Sequence, residues 1–466
     1  MENGNQIGVV GLGTMGRALA LNMRDHGFRV AGLDLSHEQV AAMAAESEGQ
    51  VAAFALPEEF ISSLALPRAI LLLVPAGAPV DAVIASLTPL LSKGDILIDG
   101  GNSYYRDTER RRGDLAQTGL EFIGIGVSGG EEGARHGPSM MAGGTPEAFA
   151  RIAPILEAIG AKADDGASCA DRVGSGAAGH YVKMVHNGIE YGMMQLIAET
   201  YDFLRRACDS TNEEAAAAFG TYAKSNFGGY LLEITESVLL AKDSETGDDL
   251  VDLIVDGAQQ KGTGKWTSQD AMDLHVPVPT IDAAVSARDL SSFRDERKKA
   301  SAVLGKLPIT IEPDVDRIGD ALQAAFLLTY SQGFSVLTKA SVAYGMDVDL
   351  AKAASVWRAG CIIRSKMLPE FRAIFTSDPT LPNLLLSREI AEKMSHLEGS
   401  LRWLVTEMAR ARIPCPAMSA SLSYLDGFSS ARLPANLIQG LRDRFGNHGF
   451  ERIDQPGVFH GDWNGE

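Results

Sequence analysis

The stretch Ile7-Gly-Val-Val-Gly11-Leu-Gly13-Thr-Met-Gly16 decides the fold of the first part of the chain. It joins a short apolar strand, Ile7–Val10, to a Gly-x-Gly-x-x-Gly pattern that opens a helix. Gly11 permits the tight turn, Gly13 lets the backbone approach a pyrophosphate, and Gly16 lets helix and strand pack closely. The helix N-terminus then offers free N–H groups and the positive end of its dipole to phosphates. We therefore predict a dinucleotide site here; the alternative is a glycine turn that binds nothing.

Short apolar strands and helical segments alternate from residue 6 to about residue 175. Several of the strands are apolar at consecutive positions, which is typical of strands that are buried on both faces. The pattern predicts an α/β fold with a Rossmann-type, doubly wound and mostly parallel sheet. The predicted strands are Ile7–Val10, Arg29–Leu33, Ala69–Val74, Asp95–Asp99, Leu120–Val127 and Ser139–Ala142.

From about Gly176 the alternation stops, and the chain becomes rich in Ala, Leu and Met at helical spacing. From about Pro434 the chain turns polar and irregular, which is typical of a tail that frays or docks on another surface. We therefore predict a dinucleotide-binding domain over 1–176, a large all-α domain over 177–433 and an extended C-terminal tail over 434–466. The helices are predicted over 178–207, 212–224, 228–241, 247–259, 319–344 and 347–359.

Composition and charge narrow the classes of function. The 466 residues are 45% hydrophobic and 22% charged, which are ordinary globular values. The net charge of -18 argues against a nucleic-acid partner, because such proteins need a positive surface. No apolar run approaches the roughly 18–20 residues that cross a membrane, and we expect no secretory signal in the polar segment Met1–Gln6. The four widely spaced cysteines argue against disulfides or a zinc site and predict a cytoplasmic protein.

Asp34 stands just after the second predicted strand, at the distance from the glycine loop where a carboxylate can bind the adenosine ribose. The same carboxylate would repel a 2′-phosphate, so it favours NAD over NADP. The alternative is an ordinary turn or cap before the next helix. Ser36 fills such a cap equally well, which would leave Asp34 available for the ribose.

Five polar residues share one face of the predicted helix 178–207. Lys183, His186, Asn187, Glu190 and Tyr191 are spaced i, i+3, i+4, i+7 and i+8. The rest of the helix surface is apolar, as in a buried helix. The alternative is a solvated face, which is the usual reason for such a polar stripe. The stripe combines a base, an acid and orienting groups within two turns, which indicates acid–base chemistry.

Other candidates lie in loops. Asn102 and Ser128-Gly129-Gly130 follow predicted strands, where ligands of open α/β sheets bind, although these residue types are also common in turns. Lys261-Gly-Thr263-Gly-Lys265-Trp266 is a basic, glycine-rich segment that suits a phosphate but does not match a P-loop. Arg288 adds a guanidinium suited to phosphate or carboxylate.

Together these residues resemble the 6-phosphogluconate dehydrogenase family, and the resemblance extends over nearly the whole chain. The motifs that carry it are the glycine loop, Asp-Gly-Gly-Asn-Ser (99–103), Gly-Val-Ser-Gly-Gly-Glu-Glu-Gly-Ala-Arg (126–135), Gly-Pro-Ser-Met-Met (137–141), Val-Lys-Met-Val-His-Asn-Gly-Ile-Glu-Tyr (182–191), Gln-Lys-Gly-Thr-Gly-Lys-Trp-Thr (260–267), Trp-Arg-Ala-Gly-Cys-Ile-Ile-Arg-Ser (357–365) and Arg-Asp-Arg-Phe-Gly-Asn-His (442–448).

The resemblance implies an oxidative decarboxylation of 6-phosphogluconate with Lys183 as the general base and Glu190 as the acid, and no metal. It implies a homodimer in which the 434–466 tail docks on the partner subunit and the all-α domain serves substrate binding and dimerisation. The implied substrate residues are Asn102, Ser128, Gly129, Gly130, His186, Asn187, the phosphate binders Tyr191, Lys261, Thr263 and Arg288, and, from the partner's tail, Arg442 and His448. The implied cofactor residues are Gly11, Leu12, Gly13, Thr14, Met15, Gly16, Asp34, Leu35, Ser36, Val74, Pro75, Ala76 and Asn102.

The chain departs from the family pattern where the family grips the NADP 2′-phosphate. Asp34-Leu35-Ser36 replaces the usual Asn-Arg-Thr, Pro75 replaces a Lys, and Gln259 replaces a small residue. We therefore expect NAD as the preferred cofactor and NADP as the weaker one. Two alternatives stay open: a β-hydroxyacid dehydrogenase with a non-phosphorylated substrate, and a dinucleotide-binding protein without catalysis.

Overall fold

The computed structural model describes residues 4–259, 262–305 and 309–463. In these ranges eight strands form one sheet in the order β3-β2-β1-β4-β5-β6-β7-β8, and only the β6–β7 pair is antiparallel. The predicted doubly wound, mostly parallel fold is therefore confirmed. The strands are β1 (Ile7–Val10), β2 (Val30–Leu33), β3 (Ala52–Phe54), β4 (Ala69–Leu72), β5 (Ile96–Asp99), β6 (Glu121–Ser128), β7 (Ser139–Ala142) and β8 (Ala170–Arg172).

Helices connect these strands on both faces of the sheet. They are α1 (Thr14–Asp25), α2 (His37–Glu46), α3 (Pro57–Ser63), α4 (Ala78–Leu87), α5 (Tyr105–Leu115), α6 (Gly130–His136) and α7 (Pro146–Ile159). The edge strands β3 and β8 were not predicted, because each has three residues and no long apolar run. Strand β1 pairs with β2 on one side and β4 on the other. The strand order therefore reverses at β1, which is where open α/β sheets bind their ligands.

The second part of the chain is helical, as predicted. Its helices are α8 (Ala178–Arg206), α9 (Asn212–Lys224), α10 (Tyr230–Leu240), α11 (Leu250–Leu253), α12 (Thr263–Asp273), α13 (Pro279–Ser291), α14 (Arg294–Leu304), α15 (Val315–Tyr344), α16 (Leu350–Val356), α17 (Leu368–Ser377), α18 (Arg388–Ala411), α19 (Pro416–Phe428) and α20 (Ala435–Gly446). None of the helices in the described ranges is both long and apolar enough to span a membrane.

Two predictions in this part are wrong in detail. The helix predicted over 247–259 is only the single turn α11, and the apolar side chains of Ile254 and Val255 beyond it are exposed. The segment from Thr263 is not a loop but the beginning of α12, and Gly262 precedes it with φ 98°. A positive φ at that position favours glycine, so the glycine-rich composition marks a helix start.

Helix α8 is the central element because it contacts both parts of the chain. It packs against β6 and β7 of the sheet and against α12, α13, α15 and α19. At Gly179 a Cβ atom would lie 2.3 Å from the carbonyl oxygen of Gly124 on β6, so only glycine permits this approach. The residues of α8 from Ala178 to Ile189 are all buried. This agrees with the sequence, in which most of the helix surface is apolar.

The C-terminal tail is more ordered than predicted. It contains α20 and a hairpin of β9 (Phe450–Glu451) and β10 (Val458–Phe459). The buried carboxylate of Asp443 organises it by accepting hydrogen bonds from the backbone N–H groups of Gly449 (2.9 Å) and Gly461 (2.8 Å) and from the indole of Trp463 (2.7 Å). The tail therefore has its own fold, which is held by a polar centre rather than by a hydrophobic core.

Candidate active site

A cleft of about 830 Å³ opens at the carboxyl ends of β1, β4 and β5. The residues that line it include Gly13, Thr14, Met15, Val74, Pro75, Ala76, Asn102, Tyr104 and Trp266. A Cβ atom on Gly13 would meet nothing within 4 Å, so the backbone is open to the cleft there. A Cβ on Gly16 would lie 1.8 Å from the carbonyl oxygen of Gly11, so helix and loop touch. Both glycines therefore have the environment that a pyrophosphate-binding loop requires.

The Asp34 carboxylate has two hydrogen-bond partners within the protein. One oxygen accepts the backbone N–H of Leu12 at 2.7 Å, and the other accepts that of Ser36 at 2.9 Å. The Ser36 hydroxyl caps α2 by accepting from the N–H of Gln39, and the Leu35 side chain is exposed. Asp34 therefore ties the glycine loop to the end of β2.

The five polar residues of α8 lie together beside this cleft, and His186 is at their centre. Its Nδ1 lies 3.4 Å from Lys183 Nζ, 3.1 Å from Asn187 Oδ1 and 3.8 Å from Glu190 Oε2. Its Nε2 lies 3.3 Å from the hydroxyl of Ser128 at the end of β6. The imidazole therefore connects the amine, the carboxyl group and the end of the sheet.

Burial changes the protonation of these groups. It lowers the pKa of Lys183, although the nearby Glu190 carboxylate and Cys361 thiol act in the opposite direction. It raises the pKa of Glu190, although Lys183 and Arg288 counteract the rise. It lowers the pKa of His186 well below its usual value, and the charge of Lys183 adds to this. The site therefore favours a neutral amine, a neutral imidazole and a protonated carboxyl group more than water does.

Glycines at the end of β6 give the lysine its space. A Cβ on Gly126 would lie 2.3 Å from the Cβ of Lys183. Gly129 has φ 114° and precedes α6, whose first residue Gly130 has φ 63° and open space around it. The start of α6 is therefore exposed at Gly130, two residues after Ser128.

Residues of α12 and α13 lie at the other end of the α8 stripe, the polar face formed by Lys183, His186, Asn187, Glu190 and Tyr191. Asn187 donates a hydrogen bond to the Thr263 hydroxyl at 2.9 Å. The Arg288 guanidinium lies over the ring of Tyr191, 3.5 Å from its centroid, and donates to the carbonyl of Gln259 at 3.2 Å. A cation and two hydroxyl groups therefore meet at this end, whereas Lys261 lies outside the described residues.

The two tail candidates have their contacts within the tail. Arg442 donates to the side chain of Gln439, and the ring of His448 packs edge-on against Phe445. Both side chains are exposed. The structure of one chain thus does not bring them to the α8 stripe.

Sequence reasoning missed several residues around the site. The rings of Trp266 and Tyr104 pack at a tilt of 36°, with centroids 4.8 Å apart, and both line the cleft. Trp266 follows the glycine-rich segment 261–265, and an aromatic residue at that position is a sequence signal that could have found it. Cys361 is buried close enough to Lys183 to affect its pKa. No sequence signal joins these two residues, because they are far apart in the chain.

The fold and the cleft define a dinucleotide-binding oxidoreductase with a helical second domain. The NAD binding domain of 6-phosphogluconate dehydrogenase matches residues 6–174, and the 6-phosphogluconate dehydrogenase C-terminal domain matches residues 179–463. The chain therefore belongs to the 6-phosphogluconate dehydrogenase family.

Similar proteins cover the full length of the chain. The Bacillus subtilis protein named 6-phosphogluconate dehydrogenase, NADP(+)-dependent, decarboxylating, is 46% identical over 98% of this chain and 99% of its own. The decarboxylating 6-phosphogluconate dehydrogenase of Escherichia coli has the same identity and coverage. The structure of Plasmodium falciparum 6-phosphogluconate dehydrogenase, described with its cofactor NADP+ and its substrate 6-phosphogluconate, has a TM-score of 0.95 at 37% identity and covers 98% of this chain and 100% of that one.

These relatives overturn the predicted preference for NAD. One of them is named NADP(+)-dependent, and the similar solved structure is described with NADP+ as its cofactor. In the structure Asp34 has a role that does not depend on the cofactor, because each carboxylate oxygen accepts a backbone N–H group of the protein itself. An acidic residue at this position was taken as a specificity signal, whereas here it supports the loop.

Proposed function

We propose that this chain catalyses the oxidative decarboxylation of 6-phosphogluconate to ribulose 5-phosphate and CO2, with NADP+ as the oxidant. The observation that carries the proposal is the pair of acid–base groups on α8, where the Lys183 amine and the Glu190 carboxyl group both approach His186. Family membership and the names of the relatives support the choice of substrate and cofactor.

The glycine loop, Val74, Ala76 and Asn102 would hold the dinucleotide, which supplies the hydride acceptor when bound. Burial lowers the pKa of Lys183 and so favours the neutral amine, which takes the proton of the C3 hydroxyl as the hydride leaves C3. Oxidation creates a carbonyl group β to the carboxylate. The C1–C2 bond then breaks, CO2 leaves, and the electron pair enters an enediol while the lysine ammonium donates its proton to the former C3 oxygen.

The last step forms a C–H bond. Burial raises the pKa of Glu190, so this group holds a proton up to a higher pH than an exposed glutamic acid does, and in that form it can donate the proton to the enediol carbon that carried CO2. As the carbon is protonated, Lys183 takes back the proton of the neighbouring hydroxyl group, and ribulose 5-phosphate results. Neutral His186 holds Lys183 and Glu190 in place, because its Nδ1 lies close to the amine and to the carboxyl group. The proton transfers in this scheme use only these side chains, so the scheme requires no metal.

The experiment is an assay of reduced nicotinamide and CO2 formation with 6-phosphogluconate, first with NADP+ and then with NAD+. Lys183→Ala should abolish turnover but retain cofactor binding, because the lysine lies on α8 and the glycine loop on β1 and α1. Turnover of gluconate alone would instead favour the non-phosphorylated substrate. Absence of turnover in the unmodified chain, with dinucleotide binding intact, would favour the non-catalytic alternative.

We assign the substrate phosphate to Tyr191, Lys261, Thr263 and Arg288. Arg288→Ala should raise the KM for 6-phosphogluconate about tenfold or more with little change in kcat, because a charged contact with the phosphate is lost. Arg294→Ala is the matched control, since that arginine is exposed on α14 and pairs with Asp256. A KM within twofold of the unmodified value in Arg288→Ala would contradict the assignment.

We propose a homodimer in which Arg442 and His448 of the partner subunit complete each site. The exposed apolar side chains of α20 support docking of the tail: Leu437, Ile438, Leu441 and Phe445. Lys183→Ala and Arg442→Ala subunits should each be inactive alone, and after equal mixing about a quarter of the sites should regain activity, because heterodimers contain one intact site. Absence of recovery in verified heterodimers would contradict the tail exchange.

A further inference from the structure

A buried carboxylate joins α12 to three other helices. Asp270 is 1% exposed and accepts hydrogen bonds from the hydroxyl groups of Tyr105 (2.5 Å), Tyr344 (3.0 Å) and Tyr181. Arg106 approaches it at 3.5 Å. These partners belong to α5 of the dinucleotide-binding part, to α15 and to α8. A buried carboxylate is stable only when such donors surround it, so the cluster fixes the relative positions of these helices.

Helix α12 lies along α8 in an antiparallel arrangement with one contact at each turn. Asp270 meets Tyr181, the Thr267 hydroxyl donates to the carbonyl of Met184 at 2.8 Å, and Thr263 accepts from Asn187.

Two glycines bring the helices close. A Cβ on Gly188 would lie 2.6 Å from the Thr267 methyl carbon, and one on Gly264 would lie 2.4 Å from the ring of Tyr191. A shift of α12 along this interface would therefore move every contact together.

The site end of α12 carries two groups that matter for binding. Thr263 accepts a hydrogen bond from Asn187 in the α8 stripe, and the ring of Trp266 packs against that of Tyr104 in the wall of the dinucleotide cleft. Asp270 lies on the same face as Thr263 and two turns further along the helix. It is thus the anchor at the far end of the element that presents these groups.

We propose that Asp270 is a positioning residue, which fixes α12 against α8 and α5 and thereby holds Thr263 and Trp266 at the active site. The part of this inference that concerns Thr263 rests on the proposed function, because that residue is assigned to the substrate phosphate. The part that concerns Trp266 stands on the geometry alone.

The test compares Asp270→Ala with Asp273→Ala. Asp273 lies on the same helix and also pairs with Arg106, at 3.1 Å, but it is 64% exposed. In Asp270→Ala the KM for 6-phosphogluconate should rise about tenfold or more with kcat within about threefold, since Lys183 and Glu190 remain on α8. Asp273→Ala should change neither constant more than about twofold. Asp270→Asn should restore most of the KM, because its amide can both accept from and donate to the tyrosine hydroxyl groups.

A second measurement does not depend on turnover. The fluorescence of Trp266, isolated by comparison with the Trp266→Phe variant, should shift to longer wavelength in Asp270→Ala as the indole leaves Tyr104. If Asp270→Ala does not fold, Tyr181→Phe/Tyr344→Phe takes its place with the same expected directions, because it removes two donors and little core volume.

Three results would overturn the inference: a folded Asp270→Ala with unchanged KM and unshifted Trp266 emission, a lower kcat as the sole effect, or equal damage in Asp273→Ala. If the unmodified chain does not turn over 6-phosphogluconate, the proposed function fails, and the Trp266 shift still decides the role of Asp270.

Discussion

Replacing Gly126 by Ala should disable turnover without unfolding the protein. The new Cβ would lie 2.3 Å from the Cβ of Lys183 and 2.9 Å from both its Cγ and the carbonyl oxygen of Gly179. Carbon atoms in contact stay about 3.5–4.0 Å apart, so the lysine stem must move by about 1.2–1.7 Å. A misplacement of about 1 Å costs on the order of 100-fold in rate. Overpacking costs about 1–3 kcal/mol, less than the roughly 5–15 kcal/mol that stabilise a folded domain.

The assay is kcat with 6-phosphogluconate, measured beside the melting temperature and the affinity for NADP+. Gly399→Ala is the matched control, because Gly399 lies in α18 and a Cβ there meets nothing within 4 Å. That variant should keep kcat and gain up to about 1 kcal/mol of stability. A folded Gly126→Ala protein with kcat within about twofold of the unmodified chain would show that the lysine stem is not constrained by β6, and the reasoning would be refuted.

Three further predictions concern charge. The charge of the Glu190 carboxylate raises the pKa of Lys183. Glu190→Gln should therefore move the limb of the kcat/KM pH profile that reports Lys183 to lower pH. A move to higher pH would contradict this. Burial raises the pKa of Glu199 from 4.5 to about 7, so its carboxyl group binds a proton more tightly in the folded state than in the unfolded state. As the pH rises from 4.5 to 7, the free energy of unfolding of the unmodified chain should therefore fall by on the order of 2–3 kcal/mol relative to that of Glu199→Gln. Denaturation at each pH measures this difference. Arg111→Met should destabilise the fold by about 3–5 kcal/mol in urea denaturation, because it leaves the buried Asp99 carboxylate without its cation, 3.1 Å away; a loss under about 1 kcal/mol would contradict this.

The parts of the fold that the sequence predicted are those with a local physical signal. The glycine loop constrains the backbone of consecutive residues, so strand, turn and helix follow from one short stretch. The α8 stripe was visible because five polar residues share a face of an otherwise apolar helix, and the structure brings Lys183 and Glu190 to the same imidazole. Each of these two sequence signals depends only on residues that are close along the chain, within two helical turns or one βα unit.

The parts that escaped prediction depend on distant contacts. Helix α12 begins in a glycine-rich segment that resembles a loop, and its helical state is supported by contacts with α8 such as the bond of Thr267 to Met184. The tail looked irregular because its centre is a carboxylate, Asp443, that binds backbone N–H groups from residues far along the tail. Periodicity measures apolar patterning, so it does not detect a fold held by a buried polar group.

Asp34 shows why a motif does not by itself determine cofactor specificity. The sequence rule treats an acidic residue after β2 as a ribose ligand. Here they accept the N–H groups of Leu12 and Ser36, so the residue type is explained by the demands of the loop before any ligand is considered. A carboxylate that satisfies two backbone donors has a structural reason to be present whichever dinucleotide binds. Discrimination between the dinucleotides is therefore a property of all the groups around the adenosine end together, and one side chain in the sequence does not reveal it.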